Sequence, residues 1–343
     1  MHPAIELFRG IAALMVLTYH YAFFLMPESK TLNFLGTGVD LFFVISGFVF
    51  APIIYSGKIA IKPYLIRRFF RIYPLYFFSL LLYYGFAPDD PQKFAFFIDH
   101  LFFLQTTSSI QEAMFFNGVT WTIPIEIEFY LLVPFLAFLT VRNINTIYIV
   151  LILAIVLKTI LIMTSTEVSN PNLSTILSFH LPGFLIEFMI GVLLFSIYDK
   201  YKHQKIPKII YIIIITFTII SLYFLILVLD LYGEGSKLLL TSYFRLWCAI
   251  SYAILLFPFL IYLKKVNSFF YSICLFMGNI SYGVYLFHLL LPKVLNHLNY
   301  NLTGFIGYLT CLILTVILAL MTYYLIENPA RIFGRKLSTK FLY

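Results

Sequence analysis

Charged side chains are scarce in this chain. Only 11% of its 343 residues are Asp, Glu, Lys or Arg, while 62% are hydrophobic and the mean hydropathy is +0.94. Soluble domains are about half apolar and about one quarter charged. The composition therefore excludes an ordinary soluble domain and predicts a polytopic membrane protein.

Cysteine is scarce as well. The chain has three, Cys248, Cys274 and Cys311, and all fall in apolar runs without the spacing of metal ligands. Cysteines in such a setting behave as small buried apolar residues. We therefore expect neither a disulfide nor a metal site.

A cleavage site of small residues is absent after the first apolar run, which begins with Glu6 and Arg9. A secretory signal peptide needs such a site, so we expect the first helix to be retained. The sequence predicts an all-α membrane fold of about ten transmembrane helices, while the apolar run 94–105 is too short to span and predicts an interfacial or re-entrant piece. The ten predicted spans are 5–26, 38–55, 72–87, 120–140, 145–164, 179–198, 208–229, 238–262, 273–295 and 304–326.

Basic residues fall mostly on one set of loops. With ten spans, 17 of the 23 Lys and Arg residues lie on the loops that share a side with both termini. The positive-inside rule then predicts cytoplasmic termini and a multi-pass protein of the cell inner (plasma) membrane. The net charge of +8 reflects this bias and attraction to anionic membrane lipid, and it does not imply a nucleic-acid partner.

The first helix carries Arg9 and His20, eleven residues apart. This spacing returns the helix to within roughly 20° of its starting direction and advances it by about 16 Å, so both side chains share one face. His20 lies well inside a hydrocarbon core about 30 Å thick. An ionisable group at that depth marks a site, although a structural histidine satisfied by a neighbouring helix is the alternative.

Other ionisable groups are predicted at a similar depth. Counted from the outer helix ends at 1.5 Å per residue, His20 is about 9 Å deep, Asp40 about 3 Å, Glu126 about 7.5 Å and His288 about 6 Å. The sequence thus predicts an outer layer of two histidines and two carboxylates. Arg245 is a further in-membrane charge, to which the sequence assigns no role.

The inner surface is predicted to carry a basic helical turn. Arg67, Arg68 and Arg71 suit a pyrophosphate or phosphate monoester, because guanidinium groups hold phosphate with paired hydrogen bonds. Lipid phosphate is the alternative ligand. Between the two layers lie Ser46 and Gly47, where a missing side chain admits a thin ligand or, alternatively, close packing of a second helix.

The long outer loop 88–120 is expected to carry binding function, since irregular loops beside a rigid scaffold often do. Trp121 after it is typical of an interfacial anchor. Glu126 and Glu128 point to roughly opposite flanks of the following helix, so they are not a carboxylate pair. Pro329 is predicted to end the tenth helix at the cytoplasmic face.

Six segments in this order resemble the acyltransferase-3 family of integral membrane acyltransferases, which O-acylate surface polysaccharides, lipopolysaccharide and related glycans. The resemblance covers nearly the whole chain. The matching segments are Leu7-Phe-Arg-Gly-Ile-Ala-Ala-Leu14 followed by His20, Gly38-Val-Asp-Leu-Phe-Phe-Val-Ile-Ser-Gly-Phe48, Arg67-Arg-Phe-Phe-Arg-Ile-Tyr-Pro74, Trp121-Thr-Ile-Pro-Ile-Glu126 with Phe129-Tyr130, Ile280-Ser-Tyr282 with Tyr285-Leu-Phe-His288, and Glu327-Asn-Pro329.

The resemblance implies acyl-CoA, with acetyl-CoA first, as the cytoplasmic donor and a glycan or lipid-linked glycan as the acceptor. It implies that His20 is the central catalytic residue, that Arg9 is its motif partner, and that Arg67 and Arg71 lie on the donor side. We expect residues 1–343 to form a single membrane acyltransferase domain without a fused soluble esterase-like domain.

These expectations combine into a mechanistic hypothesis. The CoA phosphates bind the arginine turn and the pantetheine arm passes Ser46 and Gly47. His20 acts as general base or is transiently acylated, with Asp40 or Glu126 fixing its tautomer.

The acceptor side is assigned to His288, Tyr282 and Trp121. A glycolipid or polysaccharide-precursor transporter is the rival class, although no repeat of hydropathy relates the two halves of the chain.

Overall fold

The computed structural model describes residues 2–26, 30–143, 145–167, 179–232, 243–264, 266–300 and 302–341. Across these residues the secondary structure is entirely helical, which confirms the predicted all-α class. The α-helices, numbered in chain order, are α1 Pro3–His20, α2 Ala22–Leu25, α3 Lys30–Asn33, α4 Gly38–Ser56, α5 Ile61–Phe86, α6 Lys93–Leu101, α7 Ile110–Met114, α8 Thr122–Arg142, α9 Thr146–Glu167, α10 Leu181–Tyr201, α11 Lys208–Tyr232, α12 Phe244–Tyr262, α13 Ser268–Phe287, α14 Leu290–His297, α15 Gly304–Thr322 and α16 Asn328–Thr339.

Eight helical stretches in the described part of the chain are long and apolar enough to cross a membrane. They are Phe34–Ser56, Thr122–Arg142, Thr146–Thr164, Leu181–Tyr201, Lys208–Leu231, Phe244–Tyr262, Ser268–Phe287 and Gly304–Thr339. Each corresponds to one of the ten predicted spans. The other two predicted spans fall on α1 and α5, whose charged residues lower their hydropathy. The count of ten and the cytoplasmic termini stay predictions.

Two predicted helices are interrupted. The first was expected to continue to Met26, but α1 ends at His20, since the backbone at Tyr21 leaves helical geometry. The ninth is broken at His288 between α13 and α14. Apolar periodicity does not reveal these breaks because most of the residues around them are apolar. Both candidate histidines therefore lie at helix breaks.

The predicted stop at Pro329 is wrong. A π-helical turn, Tyr323–Glu327, follows α15 and leads directly into α16, where Pro329 occupies the first turn. Proline is tolerated there because its missing N–H would have no intrahelical partner and its φ is already helical. The polypeptide therefore remains helical to Thr339.

The chain divides into two compact units. The first comprises Met1–Pro52, Tyr148–Ile152 and Leu185–Ser281. The second comprises Ile53–Ile147, Leu153–Phe184 and Tyr282–Tyr343.

In the first unit, α4 and α10 cross with their backbones in contact. A Cβ at Gly47 would lie 1.9 Å from the carbonyl oxygen of Phe188, and a Cβ at Gly191 would lie 2.0 Å from that of Val44. Only glycine permits this approach at either position. The space beside Gly47 is thus filled by α10, which favours the alternative of close helix packing there, and the assignment of Ser46 and Gly47 to the pantetheine path stays a prediction.

In the second unit, α16 packs along α5. The rings of Phe70 and Phe333 meet edge to face, with centroids 5.1 Å apart. A Cβ at Gly334 would lie 2.5 Å from that of Phe70. This packing places the polar residues at the start of α16 beside the basic turn of α5.

Candidate active site

His20 is the last residue of α1 and is partly exposed. Its Nδ1 lies 2.9 Å from the carbonyl oxygen of Val16, one turn earlier. Because a carbonyl oxygen only accepts, Nδ1 carries the proton, and in the neutral ring Nε2 is the basic nitrogen. The helix itself therefore sets the tautomer that the sequence analysis had assigned to Asp40 or Glu126.

Arg9 lies on the same continuous helix as His20, so the predicted shared face, about 16 Å from end to end, is retained. Its guanidinium lies 3.5 Å from the buried carboxylate of Glu6. A Cβ at Gly278 would meet the Glu6 carboxylate at 1.9 Å, and one at Gly10 would meet Met277 at 2.5 Å. Close contact with α13 thus anchors the Arg9 end of α1.

Asp40 is completely buried at the start of α4. The guanidinium of Arg245, on α12, lies 3.5 Å from its carboxylate. Nearby, the hydroxyls of Thr37 and Tyr252 are 2.5 Å apart. A buried carboxylate needs such a cation, because an unpaired charge in a low-dielectric interior is strongly destabilising. Arg245, which had no assigned role, therefore balances Asp40.

The second unit contains the arginine turn of α5, and its three side chains enter three different environments. Arg67 is exposed, and its Nε donates to the carbonyl of Pro63. Arg68 lies over the rings of Tyr64 and Tyr130, about 6 Å from each centroid. Arg71 turns towards α16. The predicted set of three equivalent phosphate ligands is therefore an unequal set.

Glu327 is the partner of Arg71, at 3.2 Å, and of Arg331, at 3.7 Å. It is 1% exposed, while both arginine side chains are 14% exposed. The π-helical turn ends at Glu327 and places it against α5. The sequence analysis missed this role, although Glu327 begins one of the six recognised segments. Together, Arg71, Arg331 and Glu327 carry one net positive charge.

Glu126 accepts a hydrogen bond from the hydroxyl of Tyr130, and Tyr64 donates to the carbonyl of Tyr130 at 3.0 Å. Arg68 reaches the same tyrosine ring. Depth counting had separated Glu126, in an outer layer, from arginines at the inner surface. The two groups instead meet around Tyr130, because α5 begins at Ile61 and the arginine turn lies within this helix rather than before it.

Tyr282 lies beside this cluster, where both Glu126 and Glu327 act on its hydroxyl electrostatically. That hydroxyl donates to the carbonyl of Ile72 at 3.2 Å. The second unit therefore gathers two carboxylates, three tyrosines and the arginines Arg68 and Arg71 of α5 in one cluster.

His288 is completely buried. Its Nδ1 lies 3.1 Å from the carbonyl of Val284, the same arrangement that His20 has in the first unit. On the preceding turn the hydroxyl of Tyr285 lies 2.7 Å from that of Thr122 and donates to the carbonyl of Val119. These bonds join the His288 region to the start of α8.

The loop 88–120 contains two short helices, α6 and α7, and the interfacial or re-entrant placement of the run 94–105 stays a prediction. Burial lowers the pKa of His100, whose Nδ1 donates to the carbonyl of Phe96, to about 4. Burial also raises the pKa of Glu112 to about 7, and neighbouring Asp99 acts in the same direction. Ser108 donates to Glu112 and partly offsets that shift.

Glu126 and Glu128 take separate partners, as the helical spacing predicts. Glu128 pairs with His180, whose Nδ1 lies 2.5 Å from its carboxylate. The sequence analysis missed this histidine because it lies far from every recognised segment.

In the described part of the chain, no group of three or more His, Cys, Asp or Glu side chains is arranged to hold a metal ion. The three cysteines are buried and unpaired by disulfides.

Apolar spanning helices that hold buried ionisable side chains define a multi-pass membrane protein. A family model described as an acyltransferase domain matches residues 2–324, and the chain belongs to this family, the acyltransferase-3 family. A protein of Acidianus two-tailed virus, described as "Putative acetyltransferase ORF330", is 26% identical over 299 residues, which is 85% of this chain and 84% of that protein. No solved structure matches the chain at a comparable level of significance.

Proposed function

We propose that this protein moves an acyl group, acetyl first, from cytoplasmic acyl-CoA to a hydroxyl of a cell-surface or exported polysaccharide or glycolipid. Membership of an acyltransferase family supports the acyl transfer. The observation that carries the mechanism is the bond between His20 Nδ1 and the Val16 carbonyl, which makes Nε2 the basic nitrogen.

His20 then acts as general base. Nε2 takes the proton of the acceptor hydroxyl as its oxygen attacks the thioester carbonyl. The carbon–sulfur bond breaks, the thiolate of CoA takes the proton back from the imidazolium, and the products are the O-acylated acceptor and free CoA. Transient acylation of Nε2 is the variant mechanism, and it has the same products and proton balance.

The donor phosphates bind the inward-turned arginines of the second unit. Arg68, Arg71 and Arg331 bring three positive charges to a region where Glu126 and Glu327 supply two negative charges. The positive excess suits the phosphates of CoA, which arginine holds by paired charge-assisted hydrogen bonds. Arg331 thereby joins the donor residues.

The test uses detergent-purified full-length protein, radiolabelled acetyl-CoA and a glycan fraction from the host cells. We expect label in the glycan and release of CoA thiol in equal amounts. His20→Ala should lower transfer by about 10²–10⁴-fold, the usual contribution of a general base, with unchanged CoA binding. Transfer at the wild-type rate in His20→Ala would overturn the mechanism, and absence of label with every glycan fraction would overturn the acceptor class.

A further inference from the structure

The pair formed by Glu128 and His180 is held by four hydrogen-bonding groups in the second unit. Nδ1 of His180 lies 2.5 Å from one carboxylate oxygen of Glu128, and the other oxygen accepts the backbone N–H of Leu181 at 2.6 Å. Nε2 of His180 lies 3.3 Å from the carbonyl oxygen of Thr106. A carbonyl and a carboxylate both accept, so both ring nitrogens donate, and the pair is an imidazolium with a carboxylate.

This ion pair is accessible although Glu128 belongs to a candidate membrane span. The side chains of His180 and Glu128 are 23% and 32% exposed. Six residues from the start of α8, Glu128 is about 9 Å along the helix. Exposing an ion pair to hydrocarbon is costly, so ionisable side chains at such depths face water-filled cavities or the protein interior. We therefore infer that the exposed surface of the pair is in contact with water rather than lipid.

Two buried polar groups beside the pair lack partners. Within the described residues, the Oγ1 of Thr106 and the Oε1 of Gln105 are buried and accept or donate no hydrogen bond. The Nε2 of Gln105 donates to the carbonyl of Thr120 at 3.3 Å, which places it near the start of α8. Buried polar atoms are nearly always satisfied by protein groups, ordered water or a ligand, so these two atoms are available to a bound water or ligand.

An aromatic surface adjoins the pair. The indole of Trp121 packs against Phe179, with centroids 4.9 Å apart, and against Phe184, at 5.6 Å. Phe179 precedes His180 in the chain, and Trp121 is only partly buried. An aromatic face with its negative quadrupole attracts the C–H edges of a ring that carries hydroxyl groups at its rim.

We propose that Glu128, His180, Thr106, Gln105 and Trp121 form a subsite for an uncharged, hydroxyl-rich sugar ring of the acceptor. The carboxylate and imidazolium cancel in charge, so the subsite has no net attraction for an anionic sugar. Both N–H groups of His180 are already bonded, so the groups left for the sugar are the remaining lone pairs of Glu128, the Thr106 hydroxyl and Gln105 Oε1. The inference rests on the proposed function, because it names the acceptor class of that reaction. Glu128 binds the sugar, His180 is a positioning residue that holds the Glu128 carboxylate, and neither takes part in the chemical step.

Trp121 provides the reporter for a binding test. The chain has two tryptophans, and Trp247 is 41% exposed on α12, so Trp247→Phe leaves Trp121 as the sole emitter. The probes are the methyl glycosides of glucose, galactose, mannose, rhamnose and N-acetylglucosamine, with glucuronic acid and N-acetylneuraminic acid as anionic counterparts. We expect at least one neutral glycoside to change Trp121 emission saturably.

In the same background, Glu128→Gln and His180→Asn should raise the Kd for that glycoside at least tenfold. The matched control is Asp199→Asn, which removes a carboxylate from the exposed pair with Lys202 and should leave the Kd within twofold. A thiol-reactive dye verifies folding, because the three buried cysteines become reactive only on unfolding.

The proposal is overturned if no neutral glycoside gives a saturable change, if the acidic sugars bind more tightly, or if a folded Glu128→Gln variant binds as the parent does. Acetyl-CoA binding, measured by calorimetry on the same samples, separates this result from the proposed function. Retained CoA binding with no sugar binding rejects the subsite alone, whereas loss of CoA binding in the parent rejects the acyltransferase mechanism.

Discussion

The carboxylate of Glu327 lies 3.2 Å from the guanidinium of Arg71 and joins the π-helical turn before α16 to the basic turn of α5. It is almost completely buried between two arginines that are themselves 14% exposed. Removing one member of a buried ion pair leaves an uncompensated charge, which typically costs about 3–5 kcal/mol. The buried carboxylate of Glu327 is therefore expected to stabilise the fold.

Glu327→Ala should lower the thermal midpoint measurably, while Asp199→Asn, at an exposed ion pair, should change it little. The midpoint is read with a thiol-reactive dye on the buried cysteines. Equal midpoints for Glu327→Ala and the parent would show that Arg71 and Arg331 do not depend on Glu327 for their charge balance.

The three arginines of the α5 turn should contribute unequally to acetyl-CoA binding, because their side chains lie in different environments. Arg68→Ala and Arg71→Ala remove partly buried guanidiniums and should weaken acetyl-CoA binding by roughly ten- to hundredfold, since a hydrogen bond to a charged group is worth about 1.5–3 kcal/mol. Arg67→Ala, at an exposed side chain, should have a smaller effect, and Arg142→Ala, at the exposed end of α8, none. Calorimetry provides the measurement. Unchanged binding in Arg68→Ala and Arg71→Ala would assign the turn to lipid phosphate.

Alanine variants of His20 and His288, the two histidines at helix breaks, should differ in their kinetic parameters. His20→Ala should lower transfer by about 10²–10⁴-fold with CoA binding retained. His288→Ala should chiefly raise the KM for the acceptor, because we assign His288 to acceptor binding. Steady-state rates on protein shown to be folded distinguish the two variants. A His288→Ala variant with normal acceptor binding and no turnover would move the catalytic role to the end of α13.

Alanine substitution should have opposite effects on stability at Gly47 and at Gly85. At Gly47 the new Cβ would lie 1.9 Å from the Phe188 carbonyl, so Gly47→Ala should destabilise the protein by about 1–3 kcal/mol or more. Gly85, in the last turn of α5, has open space around it, and Gly85→Ala should be neutral or stabilise by up to about 1 kcal/mol. Thermal midpoints measure both changes. A Gly47→Ala variant of normal stability that no longer binds CoA would favour the assignment of Gly47 to the path of the pantetheine arm.

A buried carboxyl group in the loop 88–120 should lower the free energy of unfolding as the pH rises. Burial raises the pKa of Glu112 from 4.5 to about 7, so the folded state favours the protonated acid. The stabilisation is complete below pH about 4.5 and is lost as the pH rises through about 7. Burial of His100, whose pKa is lowered to about 4, acts in the opposite direction below about pH 6.5. The fall is therefore read as the difference in thermal midpoint between the parent and Glu112→Gln, which should shrink as the pH rises from 4.5 to 8. Asp89→Asn, at an exposed carboxylate of the same loop, should leave the pH profile unaltered.

The hydropathy of the sequence alone determined the fold class and most of the spans. A membrane-spanning helix needs a continuous apolar run of sufficient length, and such a run is visible in the local sequence. The spacing of Arg9 and His20 likewise fixed their common face, since α1 is a continuous helix between them. The pattern could not reveal the helix breaks at Tyr21 and His288, where the change is in backbone geometry rather than polarity.

The partners of the buried charges depended on tertiary structure. Arg245 with Asp40, Glu327 with Arg71, and His180 with Glu128 each join residues that are distant in sequence, and no local periodicity encodes such pairs. The sequence indicated which side chains would need compensation inside a membrane protein. Only the packing of the helices decided which opposite charge each one would meet, because that choice depends on helix tilt and close backbone approach.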